Sequence, residues 1–170
     1  MSTQSMVLPT HSEDEKYSAG TRIEDWARLV SFQPRLYFRP QSLAELKSFL
    51  LIIQQQTFSQ HSLRVLGGLH SCSDICVSDA ILDVSDLPKT LEFSPDNTSV
   101  TVSANWHFHE FLKALAEKGK SITCTGGTDE QTLAGIISTN TAPATPHHTI
   151  YELVEWIEYL TLDDAGTTVV

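Results

Sequence analysis

The chain has 170 residues, of which 41% are apolar, and it carries a formal net charge of −10. This length suits one domain with a sizeable core, and the acidic balance argues against nucleic acid or an anionic membrane surface as a partner. No apolar run approaches the roughly 18 residues of a membrane helix. The first 20 residues are polar and lack the apolar core of a signal peptide, which predicts a flexible lead-in over residues 1–22.

The three cysteines do not form an even disulfide framework, and Cys72 and Cys76 have no second cysteine pair to complete a zinc site. Free thiols in a reducing compartment are the favoured interpretation, so a cytoplasmic protein is expected.

The order of apolar residues predicts a mixed α and β chain. Ser42 is a candidate helix N-cap, with Glu45 three residues on, and apolar side chains at helical spacing follow it. The other predicted elements are a core-contacting loop or short strand at 24–34, five further short strands at 35–39, 63–66, 80–84, 91–93 and 100–102 (the last two a hairpin), a second helix at 108–118 and a late strand at 152–162.

A Gly-Gly turn follows a predicted buried strand that contains Val65 and Leu66. Gly67 and Gly68 can adopt positive φ and leave room for close approach of a ligand. Their N–H groups and those of the following residues, together with the hydroxyls of Ser71 and Ser73, are suited to cradle a phosphate or pyrophosphate. The alternative is an ordinary strand-to-loop turn, since the motif is neither G-x-G-x-x-G nor a P-loop.

Small residues dominate a second stretch, residues 124–141. Such a run allows a flat aromatic ligand to lie directly on the backbone. The alternative is a short helix that packs closely on a strand through Ala134 and Gly135.

Two other kinds of site are disfavoured. The pairs His107 with His109 and His147 with His148 have the side chains for a metal site, but no nearby carboxylate is evident, and no metal is expected. A Ser-His-Asp hydrolase lacks the G-x-S-x-G elbow, and Ser71 beside His70 in sequence does not form a triad.

Three motifs together resemble the flavin-binding domain of the vanillyl-alcohol-oxidase-type family, with the greatest similarity to the sugar-lactone and alditol oxidases. They are Leu-Gly-Gly-Leu-His-Ser at 66–71, Arg-Pro-x-Ser-x-x-Glu-Leu at 39–46 and Gln-Thr-x-Ala-Gly-x-x-Ser-Thr-x-Thr at 131–141. The similarity covers about residues 26–170.

The resemblance implies an α+β fold of the PCMH type, in which a small parallel or mixed sheet with helices is followed by the start of a mainly antiparallel sheet. Residues 23–170 would form this FAD-binding domain, incomplete at its C-terminal end and without a substrate domain. FAD would lie between the two parts, and His70 would occupy the position of covalent attachment to the flavin. The expected cofactor-binding residues are Gly67, Gly68, Leu69, His70, Ser71, Cys72, Ser73, Gly127, Thr132, Gly135, Ile136, Ile137 and Ser138.

The same resemblance implies an oxidoreductase that oxidises a hydroxyl group of a sugar lactone or polyol, with oxygen or another electron acceptor. No catalytic residue of the family is expected within this chain, which predicts that these 170 residues are inactive by themselves. The alternative is a non-catalytic flavin- or nucleotide-binding module that keeps the fold without turnover.

Overall fold

A three-stranded parallel sheet lies at the centre of the N-terminal half of the computed structural model, which describes residues 20–55, 63–143, 148–163 and 166–169. Strands β3 (Leu36–Phe38), β4 (Leu63–Leu66) and β5 (Ala80–Asp83) are arranged in the order β3-β5-β4. Helix α1 (Leu43–Gln55) connects β3 to β4. Two short strands, β1 (Ile23–Glu24) and β2 (Ser31–Phe32), form an antiparallel pair before this sheet.

The start of α1 is capped as the sequence predicts. Ser42 Oγ accepts a hydrogen bond from the Glu45 N–H at 3.2 Å, and the Glu45 carboxylate accepts one from the Gln41 N–H at 2.9 Å. These contacts satisfy N–H groups that a helix N-terminus leaves without intrahelical partners. One face of α1 then packs on the sheet, where Phe49 stacks on Phe38 with 4.3 Å between ring centroids.

The C-terminal half consists of hairpins and short helices. Strands β6 (Leu91–Phe93) and β7 (Val100–Val102) pair antiparallel, as do β8 (Leu160–Asp163) and β9 (Gly166–Val169). Helices α2 (Phe108–Ala116) and α3 (Leu133–Ser138) lie between these hairpins, and single 3₁₀ turns occur at Asp74–Cys76 and Ile150–Leu153. This parallel sheet with later antiparallel pairs confirms the expected α+β class.

The core has two clusters, one on each half of the chain. The first is built around Phe38, Leu46, Phe49 and Leu82. The second joins α2 and α3 through buried residues that include Phe108, Phe111, Leu133 and Ile136. The small-residue stretch contributes Cys124, Leu133 and Ile136 to this second cluster.

Three sequence predictions of burial or extent are wrong. Among the described strands β4 pairs with β5 alone, and Val65 is 59% exposed. Trp26 and Leu29, which lie in the β1–β2 turn, are 59% and 72% exposed and do not belong to the core. The late strand is confined to β8, because residues 150–153 form a 3₁₀ turn and 154–159 are irregular.

No helix among the described residues is long and apolar enough to cross a membrane. The three cysteines are free: Cys72 is exposed, Cys76 is half-buried and Cys124 is buried. The lead-in predicted over residues 1–22 lies mostly outside the described residues.

Candidate functional site

In the turn after β4, the residue with a positive φ comes one position after the two glycines. Neither Gly67 nor Gly68 has a positive φ, whereas Leu69 has φ of 56°. A non-glycine residue rarely adopts this region, and such residues concentrate at functional sites. The expectation that the glycines supply positive φ is therefore wrong.

The two glycines are needed for close packing against the small-residue stretch. A Cβ on Gly67 would lie 2.8 Å from Thr132 Oγ1, and one on Gly68 would lie 2.8 Å from the Glu130 carbonyl oxygen and 3.1 Å from Gln131 Cα. Thr132 Oγ1 in turn caps α3 by accepting from the Gly135 N–H at 3.1 Å. The turn and the stretch predicted to hold one ligand are therefore in direct contact.

The backbone N–H groups of this turn are available to a ligand. From Gly68 to Ser71, none of them donates to an acceptor in the described part of the chain. Successive amides of this kind, next to a left-handed residue, form a concavity that binds anions. The first helical N–H groups of α2 are not available, since those of Phe108 and His109 donate to the carbonyls of Gln131 and Asp129.

Trp26 holds the end of the turn from the side of the β1–β2 pair. Its backbone N–H donates to the Leu69 carbonyl at 3.1 Å, and its Nε1–H donates to the His70 carbonyl at 3.1 Å. Its indole ring also stacks on the His70 imidazole, with 5.5 Å between centroids and 15° between planes. His70 is therefore fixed through its backbone and its ring, and neither ring nitrogen has a hydrogen-bond partner among the described residues.

A cavity of about 480 Å³ opens between the turn, the end of β5 and α3. Eight of the predicted cofactor residues line it: Gly67, Gly68, Leu69, His70, Ser71, Thr132, Gly135 and Ser138. The other five do not: Cys72, Ser73, Gly127, Ile136 and Ile137. The Ile136 side chain is 1% exposed and belongs to the core, so only its backbone is left for a ligand.

Two further cavity residues, Asn105 and Gln131, were not predicted as site residues. Asn105 is 7% exposed, and its Nδ2 donates to the carbonyls of Val84 and Leu87, which fixes the segment after β5. Gln131 Oε1 is buried and has no hydrogen-bond partner among the described residues. A buried acceptor without a partner is costly, so this atom is suited to accept a hydrogen bond from a bound molecule.

A carboxylate at the end of β5 belongs to a polar cluster on the cavity wall. Asp83 accepts hydrogen bonds from the Tyr37 hydroxyl and from the Ser85 N–H, and Arg39 Nε lies 3.6 Å from its Oδ2. Burial acts to raise the pKa of Asp83, but the hydrogen bonds from Ser85 and Tyr37 and the charge of Arg39 outweigh it and lower that pKa. Burial, and then the bond to Asp83, raise the pKa of Tyr37.

Asp83→Asn is expected to reduce the pH dependence of stability. The folded pKa of Asp83 is depressed, so its contribution is present above the unfolded pKa of about 3.9 and is lost as pH falls through the folded pKa. The unfolding free energy should therefore fall between pH 7 and pH 3 by about 1 kcal/mol less in the variant than in the wild type. Urea unfolding at both pH values measures this, with the exposed Asp79→Asn as the matched control. An equal fall in Asp83→Asn and wild type would contradict the assignment.

A family model described as an FAD binding domain matches residues 34–170. The chain therefore belongs to the FAD-binding domain family, and FAD is its cofactor. It is 34% identical over 130 residues to D-arabinono-1,4-lactone oxidase of Kluyveromyces lactis, which covers 74% of this chain and 24% of that protein. It is 27% identical over 151 residues to L-gulonolactone oxidase of Mus musculus, which covers 88% of this chain and 33% of that protein.

Solved structures agree on the fold. Cholesterol oxidase from B. sterolicum superposes with a TM-score of 0.73 over 96% of this chain and 34% of that chain, at 11% identity. The PCMH-type fold predicted from the resemblance is therefore confirmed. The chain spans about a quarter to a third of the length of the curated relatives that it matches.

The cavity has the donors and acceptors that FAD requires. The N–H groups from Gly68 to Ser71 are suited to donate hydrogen bonds to the pyrophosphate. These donors carry no formal charge, and the chain as a whole has a net charge of −10. The buried Gln131 Oε1 offers an acceptor for a hydroxyl or ring N–H, and the exposed Val65 offers an apolar contact. The residues present thus fit the cofactor.

Proposed function

We propose that this chain is the flavin-holding part of an FAD-dependent oxidoreductase that oxidises the hydroxyl-bearing carbon of a sugar lactone or, less closely, of a polyol. The relatives' names support the lactone, since they act on D-arabinono-1,4-lactone and L-gulonolactone. The observation that carries the proposal is the contact between the Gly-Gly turn and the 130–135 segment, because the two segments that resemble flavin-binding motifs line one cavity.

In this proposal the pyrophosphate rests on residues 67–73 and the flavin ring lies along 127–138. Bound FAD supplies the hydride acceptor, and oxygen or another acceptor takes the electrons onward. The protein's residues hold and orient the cofactor: amides of the turn bind the diphosphate, Gln131 offers its unpaired acceptor, and the Trp26 ring keeps His70 at the cavity wall.

His70 is proposed as the residue that attaches the flavin covalently. The new bond joins a ring nitrogen to the flavin 8α-methyl carbon, while the imidazole N–H and one methyl C–H are lost. The two hydrogens and two electrons leave on oxygen as hydrogen peroxide, so the overall attachment balances. Support comes from the position of His70 on the cavity wall, its stack with Trp26 and its ring nitrogens without partners in the described chain. Fixed positioning of this kind can supply roughly 7–11 kcal/mol toward a reaction.

The substrate class is tested by anaerobic mixing of flavin-loaded protein with lactones and polyols. We expect D-arabinono-1,4-lactone or L-gulono-1,4-lactone to bleach the flavin of the native protein purified from its source. We expect the 170-residue chain, loaded with FAD, to remain yellow with the same panel, because no acid-base pair positioned for the substrate hydroxyl is evident among its described cavity residues. Bleaching of the 170-residue chain would refute its inactivity, and a native protein that no lactone reduces would refute the substrate class.

A module that binds flavin or another nucleotide without turnover is the second candidate. The fraction of the relatives' length that the chain spans favours it for these residues taken alone. The same experiment separates the two, since a non-catalytic module predicts no bleaching of the native protein either. A cytoplasmic location is also proposed, with support from the three free thiols.

A further inference from the structure

Two histidines and a glutamate lie together at the N-terminus of α2. One candidate ligand atom from each of His107, His109 and Glu130 lies within 4.8 Å of the other two. The His109 Nδ1 is 3.8 Å from Glu130 Oε2, and the two imidazole centroids are 5.6 Å apart. Glu130 is the carboxylate that sequence reasoning missed, because 20 or more residues separate it from the histidines.

Both imidazoles are oriented by backbone carbonyls. His107 Nδ1 lies 2.8 Å from the Glu130 carbonyl oxygen, and His109 Nδ1 lies 3.1 Å from that of Asp129. A carbonyl oxygen can only accept, so in the tautomer that satisfies these two contacts Nδ1 donates and Nε2 keeps its lone pair. Histidines that bind metal ions usually have this arrangement, in which the second nitrogen donates to a carbonyl or carboxylate.

The protein backbone also holds the three residues in place. The His109 N–H donates to the Asp129 carbonyl at 2.9 Å, and His107 forms a bridge with Thr132. The site is still open to solvent, with side chains of His109 and Glu130 exposed by 43% and 61%. A rigid backbone with accessible side chains allows an ion to enter without unfolding the segment.

We propose that His107, His109 and Glu130 form a binding site for a divalent transition metal ion, with Zn²⁺ as the best match. Two imidazoles and one carboxylate, with a water molecule as fourth ligand, are a common zinc donor set. Mg²⁺ prefers oxygen ligands in octahedral geometry and is not expected to compete. This inference does not depend on flavin binding, so it can be tested on the protein without FAD.

The test is titration of the full chain with Co²⁺, followed by visible absorption, and then displacement by Zn²⁺. We expect one Co²⁺ per chain with the spectrum of nitrogen and oxygen ligands, displaced by Zn²⁺ and unaffected by excess Mg²⁺. Since loss of an outer partner alone weakens metal binding about 10- to 100-fold, His109→Ala and Glu130→Gln should each weaken it at least about 10-fold.

His148→Ala is the matched control, because His148 lies 3.3 Å from Glu152 in a second exposed His-carboxylate pair, for which the described residues offer no third ligand. This variant should bind Co²⁺ as the wild type does. The proposal is overturned if the wild type takes up no Co²⁺, if His148→Ala loses binding to the same extent, or if the spectrum shows thiolate charge transfer from the cysteines. Circular dichroism of each variant confirms that the fold persists.

Discussion

Gly68→Val is expected to lower the affinity for FAD by at least about 100-fold, which corresponds to about 2.7 kcal/mol. A side chain at this position meets the Glu130 carbonyl and Gln131 Cα, which are backbone atoms that cannot rotate away. The 129–132 segment must move, and the cavity between it and the turn loses its shape. Overpacking of this kind also costs about 1–3 kcal/mol of folding stability. Titration monitored by flavin fluorescence measures the affinity, and urea unfolding measures the stability.

Gly68→Ala and Gly127→Ala complete this series. The smaller Gly68→Ala keeps the Cβ at 2.8 Å from the carbonyl, so it should show an intermediate loss of affinity even if the valine variant does not fold. Gly127→Ala places its Cβ where, apart from its two neighbours in sequence, no heavy atom of the described residues lies within 4 Å, and its unfolding midpoint should equal that of the wild type. Wild-type affinity in a folded Gly68→Val protein would show that the turn does not shape the cofactor site.

His70→Ala is expected to abolish covalent flavin while leaving the fold intact. The side chain lines the cavity, and its half-buried ring contacts Trp26 rather than the core, so its removal costs little packing. After incubation with FAD and oxygen, acid precipitation should leave flavin in the pellet for the wild type and in the supernatant for the variant. Peptide mass mapping should place the flavin on the peptide that contains His70.

His148→Ala is the control for this experiment, since His148 pairs with Glu152 and does not line the cavity. It should retain covalent flavin at the wild-type level. The attachment assignment is wrong if wild-type flavin stays in the supernatant, or if His70→Ala still carries flavin in the pellet. Non-covalent binding of FAD by His70→Ala would also show that the turn binds the cofactor without a covalent bond to His70.

Local signals in the sequence were sufficient for most of the fold. The cap at Ser42 and the helical spacing after it correctly predicted α1, and the hairpin predicted from 91–93 and 100–102 is formed by β6 and β7. The prediction of a strand over 152–162 was wrong for most of its length, because alternating apolar residues also occur in an exposed irregular segment. Trp156 and Ile157, which lie within the strand predicted over 152–162, are 60% and 56% exposed.

The site was only partly predictable, because its geometry depends on contacts between distant segments. The Gly-Gly turn was recognised from its motif, but the reason for the glycines was not, since Glu130 and Thr132 approach them from more than 60 positions away. Gln131 was visible within a motif, yet its unpaired oxygen is a property of the folded state. Trp26 could be placed on His70 only once the β1–β2 pair was seen beside the turn.

Titration of the purified, flavin-free chain with FAD is the most direct test of the account. We expect saturable binding of one FAD per chain, with the flavin protected from solvent quenchers, and loss of this binding in the Gly68→Val variant. A wild-type chain that is folded by circular dichroism and yet binds no FAD, or binds it equally well with valine at position 68, would contradict the cofactor site described between the Gly-Gly turn and the 130–135 segment.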